Sequence, residues 1–111
     1  MIDLYAYSFQ SDSSLVGILN LFNEIGPWRW INRYNDRWGD YISSRVLPLP
    51  EHECMVKIFV EPDHYAVNVL LRSEHTNARQ LFDQVRETLF DKLLPAIGAR
   101  DLAEVQDYDT G

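Results

Sequence analysis

Apolar positions along the chain follow two rhythms, one of period two and one near 3.6, and their order predicts the elements. Residues 2–9, IDLYAYSF, carry aromatic and aliphatic side chains without Gly or Pro and read as a first strand. Ser11, Asp12, Ser13 and Ser14 then offer N-cap oxygens, and Leu15, Ile18, Leu19 and Phe22 recur at helical spacing. Gly26-Pro27 should end that helix, because proline cannot continue its hydrogen bonding. From 28 to about 35 an extended chain places Trp28, Trp30 and Tyr34 on one face and Arg29, Ile31 and Arg33 on the other. Asp36-Arg37-Trp38-Gly39 has the preferences of a type I turn, so a hairpin is expected, with Asp36 capping it and a return strand from about Asp40 to Leu47. A single long bent strand is the alternative, since no Asn-Gly or Asp-Gly pair fixes the turn.

Pro48 and Pro50 stop the return strand, and Leu47 to Glu53 read as a loop. Val56, Ile58 and Val60 alternate with Met55, Lys57 and Phe59, and Tyr65, Val67, Val69 and Leu71 alternate with Ala66, Asn68 and Leu70. The turn Glu61-Pro62-Asp63-His64 joins them into a second hairpin. After a cap within Ser73 to Thr76, a helical stripe runs through Ala78, Leu81, Phe82, Val85, Leu89 and Leu93, with Pro95 making Leu94 its expected end. The tail from Asp101 to Tyr108 is either a short last strand or a frayed acidic end. The order β-α-β-β-β-β-α, with or without a final β, predicts one α+β domain over 1–111: an antiparallel sheet of four to six strands with two helices on one face. In element order alone it resembles an elaborated ferredoxin-like split βαβ arrangement.

Composition supports a folded chain: nearly half of the 111 residues are apolar, which outweighs a net charge of -7. The first residues lack the basic start and apolar run of a signal peptide, no stretch approaches the roughly 20 apolar residues of a membrane span, and there is a single cysteine, so a cytoplasmic protein is expected. The charge is uneven. Residues 27–46 hold all three tryptophans and four of the eight arginines, Arg29, Arg33, Arg37 and Arg45, against Asp36 and Asp40. That net of +2 leaves -9 for the rest of the chain. An acidic body repels nucleic acid and anionic membrane, and no RNP1 pattern is present, so neither is an expected partner.

Chemistry narrows less. Glycines at 17, 26, 39, 98 and 111 assemble neither a phosphate-binding loop nor a dinucleotide fingerprint, so no cofactor is assigned. Cys54, at the start of an apolar strand, reads as a buried inert thiol. His52, Cys54 and His75 fall at one end of the second hairpin, with His64 at the other, but they lack metal-ligand spacing and no metal is assigned. Asp36 and Asp40 stand near Arg33 and Arg37, which would keep them ionised rather than tune them as acids. Trp28 and Trp30 are expected in the core, while exposure of Trp38 is an open question, since its turn position has charged neighbours.

Tryptophan and arginine are the residue types enriched where proteins bind one another. The expectation is therefore a small non-catalytic protein-binding module, with the inhibitor or immunity-protein kind as one candidate, acting through the Arg/Trp-rich hairpin and an acidic surface suited to a basic partner. Arg33, Arg37, Trp38 and Tyr41 are the candidate contact residues, Trp38 as anchor and the arginines pairing carboxylates. Two alternatives stand beside it. One is a domain or enzyme holding a small anionic ligand with Arg29, Arg33 or Arg37, which a concave pocket lined by these groups would favour. The other is a homodimer built through the open sheet face or an edge strand.

Overall fold

A computed structural model describes residues 2–46, 52–73 and 78–105. Strand β1 (Ile2–Gln10) leads into helix α1 (Leu15–Ile25), followed by β2 (Trp30–Asn35), β3 (Gly39–Val46), β4 (His52–Val60) and β5 (Tyr65–Ser73). Helix α2 (Ala78–Thr88) runs on through a π-helical turn, Leu89–Leu93, into a last helical turn α3 (Leu94–Ala96), and β6 (Arg100–Glu104) closes the series. All six strands form one sheet in the order β2-β3-β4-β5-β1-β6, with every neighbouring pair antiparallel. The fold is α+β, and its sheet stands at the upper end of the expected strand number.

Directly opposed residues on antiparallel strands share a face, so the register sorts the side chains. Ile42 faces Ile58, which faces Val67; Ser44 faces Val56, which faces Val69. With Val46, Cys54, Leu71 and Phe9 the apolar residues of these rows form one buried cluster, which α1 joins through Ile18 and Phe22 and the second helical segment through Phe82, Val85, Leu89 and Leu93. Rings lock the contact: Tyr5 stacks on Phe82 at 3.8 Å between centroids, and Phe22 meets Trp30 at 5.2 Å. Each fully buried aliphatic side chain contributes roughly 1.5–3 kcal/mol of apolar burial, and this face therefore carries most of the stability.

Local signals explain the helix ends. Ser14 Oγ accepts from the Gly17 N–H at 3.1 Å, and Gly26, at φ 67°, donates its N–H to the Phe22 carbonyl. Pro95 does not end its helix at Leu94 as expected. The π-helical turn makes Leu94 donate to the Leu89 carbonyl, five residues back, so that Pro95 enters the first turn of a new segment where no N–H is needed. The chain leaves at Ala96, and Gly98, at φ 65°, donates to the Pro95 carbonyl.

Three other boundaries move. β4 begins at His52, so His52 and Glu53 belong to a strand rather than to the expected loop, while 47–51 lie outside the described residues. The first hairpin is real, but its turn starts one residue early. Asn35 opposes Gly39, and it is Asn35 Oδ1, not Asp36, that caps the turn by accepting from the Arg37 N–H at 2.7 Å. The tail does form a strand along β1, with every residue of Arg100–Glu104 exposed; residues 106–111 lie outside the description.

Candidate functional site

The opposite face of the sheet, built from the alternate residues of the same strands, leaves Leu4, Ile31 and Leu70 exposed. Its register gives three rows. Arg33, Tyr41, Phe59 and Ala66 stand side by side; Ile31, Ser43, Lys57 and Asn68 form the next row; Arg45, Met55 and Leu70 form the third. Ser43 is the shortest side chain at the centre of this pattern. Long side chains surround it at cross-strand spacings of about 5 Å and diagonals of about 7–8 Å. The result is a trough of about 550 Å³ lined by Arg29, Ile31, Arg33, Tyr41, Ser43, Arg45, Glu53, Met55 and Lys57, with Ser43 itself buried at its floor.

Four cations and one carboxylate line that trough. Glu53 is shared: its carboxylate lies 3.4 Å from Arg45 and 3.8 Å from Arg72. Among the described residues, Arg29, Arg33 and Lys57 have no ion-pair partner. This happens in a chain with 17 acidic residues against 10 basic ones. Neither Asp36 nor Asp40 pairs with Arg33 or Arg37 among the described residues, contrary to what their proximity in sequence suggested.

The trough's β2 wall is firmly held. The Trp30 N–H donates to Asn23 Oδ1 at 2.6 Å, Asn23 Nδ2 donates to the Trp30 carbonyl at 3.0 Å, and Ser44 Oγ donates to the Arg29 carbonyl at 2.7 Å. Helix α1 and strand β3 thus fix the backbone from which Arg29 and Ile31 project. Trp30 is core, as expected, and Trp28 is half-buried against the same cluster. Tyr34 shares their face by parity yet is 68% exposed, because it opposes the exposed Asp40 at the hairpin's free end.

The four candidate contact residues divide. Arg33 and Tyr41 line the trough, whereas Arg37 and Trp38 sit at the turn beyond it. A run of rings links the two groups: Trp38 meets Phe59 edge-on at 5.6 Å, and Phe59 meets Tyr41 at 4.9 Å. Arg37 lies 5.7 Å from the Trp38 ring centroid and Lys57 5.9 Å from that of Tyr41, placing a cation at each end of the run. Trp38 is 55% exposed, so it both covers Phe59 and faces solvent. Sequence reasoning missed Ser43, Arg45, Glu53 and Met55 as parts of this site. The alternation of β3 held the signal for Ser43 and Arg45, but only with the register between β2 and β4 in hand.

Of the other candidates, Cys54 lies in the core, opposite Leu71, and burial pushes its thiol up to about 12. A thiol held protonated is neither nucleophile nor ligand at neutral pH. The side chain of His52 and all of His75 lie outside the described residues. His64 instead pairs with Asp63, Nδ1 to Oδ1 at 2.6 Å, in the β4–β5 turn. Among the described residues, no helix is long and apolar enough to cross a membrane. Comparison with protein families, with curated proteins and with solved structures gave no match to this chain.

Proposed function

We propose that the chain is a non-catalytic protein-binding module whose open sheet face receives an acidic segment of a partner. One observation carries this reading: three cations without an ion-pair partner among the described residues gather around Ser43 on a protein of net charge -7. A basic partner fits the acidic remainder of the surface, but the trough itself is complementary to carboxylates, and guanidinium groups pair with those bidentately. The Trp38–Phe59–Tyr41 run extends the surface past the trough to the turn, giving an aromatic anchor beside a cationic recess. In the same reading the fold is two-layered, with both helices on the core face and the ferredoxin-like element order enlarged by an extra hairpin. The shared cluster of Phe22 and Phe82 with the sheet supports that layering. The module acts in the cytoplasm, in keeping with its single buried thiol.

The test is affinity capture at low and high salt with wild type, Arg33→Ala and the Arg37→Ala/Trp38→Ala double variant, each first shown to melt cooperatively. One stoichiometric partner should be retained by the wild type, released as salt rises and lost with both variants. A partner held equally by all three proteins would place binding elsewhere. The trough specifically favours a second reading, a small anionic ligand held by Arg29 and Arg33 without any partner chain.

A further inference from the structure

We propose that the trough above Ser43 is a subsite for a multiply charged oxyanion of the phosphoryl class. The inference deepens the open-face reading and rests on it for the location of the site. Its starting point is charge. A single carboxylate already stands at the trough, Glu53, and it is taken up by Arg45 and Arg72. Arg29, Arg33 and Lys57 remain without a counter-charge among the described residues, on the two flanks of one short side chain. Like charges gathered this way repel, and one singly charged group would answer only one of them. A phosphoryl group carries about -1.5 to -2 at neutral pH and three acceptor oxygens.

Geometry agrees with that choice. Arg33 rises from β2 and Arg29 from the position just before that strand on one side, Arg45 from β3 at one end and Lys57 from β4 on the other side, so donors approach from several directions rather than along a line. Tyr41 and Ser43 add hydroxyl groups to the lining. The hydrogen bonds from Asn23 to Trp30 and from Ser44 to Arg29 hold the β2 backbone in place before anything binds, which lowers the ordering cost of binding.

The experiment uses the whole chain and two probes at constant ionic strength. Inorganic pyrophosphate is titrated while the arginine Nε–H resonances and the melting temperature are followed. Saturable shifts at Arg29 and Arg33 are expected, with a Tm increase of about 5 °C at tenfold excess over Kd. The Arg33→Ala/Lys57→Ala variant, which removes side chains outside the core, should melt close to wild type and bind at least tenfold more weakly. The second probe is an acidic peptide with one phosphoserine, compared with its serine counterpart. Phosphopeptide binding tenfold tighter than pyrophosphate, and weakened by Trp38→Ala, upholds both the subsite and the docking reading. Phosphopeptide binding no tighter than pyrophosphate upholds the subsite and overturns protein docking. Equal binding of the serine peptide overturns the phosphoryl subsite while protein docking stands. Absence of saturable arginine shifts with either probe, or equal shifts in the double variant, overturns the subsite.

Discussion

Strands β3, β4 and β5 present two faces that share a backbone and differ in everything else. Ile42, Val56, Ile58, Val67, Val69 and Leu71 point one way and are fully buried, while Tyr41, Ser43, Arg45, Lys57, Asn68 and Leu70 point the other. A period of two means that a position one residue along a strand belongs to a different environment and answers to a different constraint. The core face is bound by packing, where even one methylene matters, and the open face is bound by charge and shape toward solvent. Cations can therefore gather on the open face without disturbing the fold, because the stability is held on the other side of the same strands.

Neighbouring residues on β4 give the sharpest test of that division. Ile58→Ala should cost roughly 2–5 kcal/mol through lost burial and a cavity, whereas Lys57→Ala should stay within about 0.5 kcal/mol. Urea unfolding of both variants measures the contrast. A Lys57 variant as damaged as the Ile58 one would mean that the open face is itself a core.

Cys54 extends the test to the pH dependence of the core face. Its thiol is raised from 9.0 to about 12 by burial, so the native protein keeps a proton that the unfolded chain releases. Stability from this group is present in full below pH 9 and is lost as pH rises from about 9 toward 12. Cys54→Ala should flatten the alkaline decline in the urea midpoint. At pH 8 the native thiol should react with a disulfide reagent at least about tenfold more slowly than the unfolded one, since its smaller thiolate fraction outweighs the greater nucleophilicity of a higher-pKa thiolate.

Phe59 blurs the division. It lies on the open face by parity yet is only 9% exposed, since Trp38 and Tyr41 cover it. Phe59→Ala should cost about 2 kcal/mol, between the two β4 neighbours, and Trp38→Ala less than about 1 kcal/mol. A double-mutant cycle between them should show a coupling of roughly 0.5–1.5 kcal/mol. Zero coupling would show that the ring contact is not maintained in solution.

These same residues mark what the sequence could reveal. Val56, Ile58, Val67, Val69 and Leu71 alternate along their strands, so their hairpin and its buried face were legible, as was the stripe from Leu81 to Leu93. Alternation alone also put Val60 in the core, where it is 46% exposed, and left Phe59 open, where it is buried. Nothing periodic says that β1 inserts between β5 and β6, because strand order depends on the packing of distant segments. The site was half legible for a related reason. Arg29, Ile31 and Arg33 could be assigned to one face from β2 alone, but a trough exists only because Ser43 is short where Ile31 and Lys57 oppose it from two other strands. The exposure of Trp38 likewise depends on Phe59, a partner on β4, and the path of the chain past Pro95 depends on a change of hydrogen-bond spacing that composition does not announce.

Little energy rides on the end of the β4–β5 hairpin, away from both faces. Asp63 accepts the His64 hydrogen bond, and that bond, followed by the charge of His64, holds its carboxyl below the ordinary 3.8. A depressed carboxyl contributes stability above its unfolded pKa and loses it as pH falls through the folded one. Asp63 is fully exposed, however, so solvent screens the pair and little should reach the folding equilibrium. Carbon-detected NMR titration should find the Asp63 midpoint below 3.8 in wild type and back at the ordinary value in His64→Ala, with urea midpoints at neutral pH unchanged. The turn would still be closed by the Glu61 N–H donating to the His64 carbonyl at 2.9 Å, a backbone contact that the substitution leaves in place. A lowered urea midpoint in His64→Ala would show instead that the side-chain pair helps to hold the hairpin, and that stability in this domain is not confined to the core face.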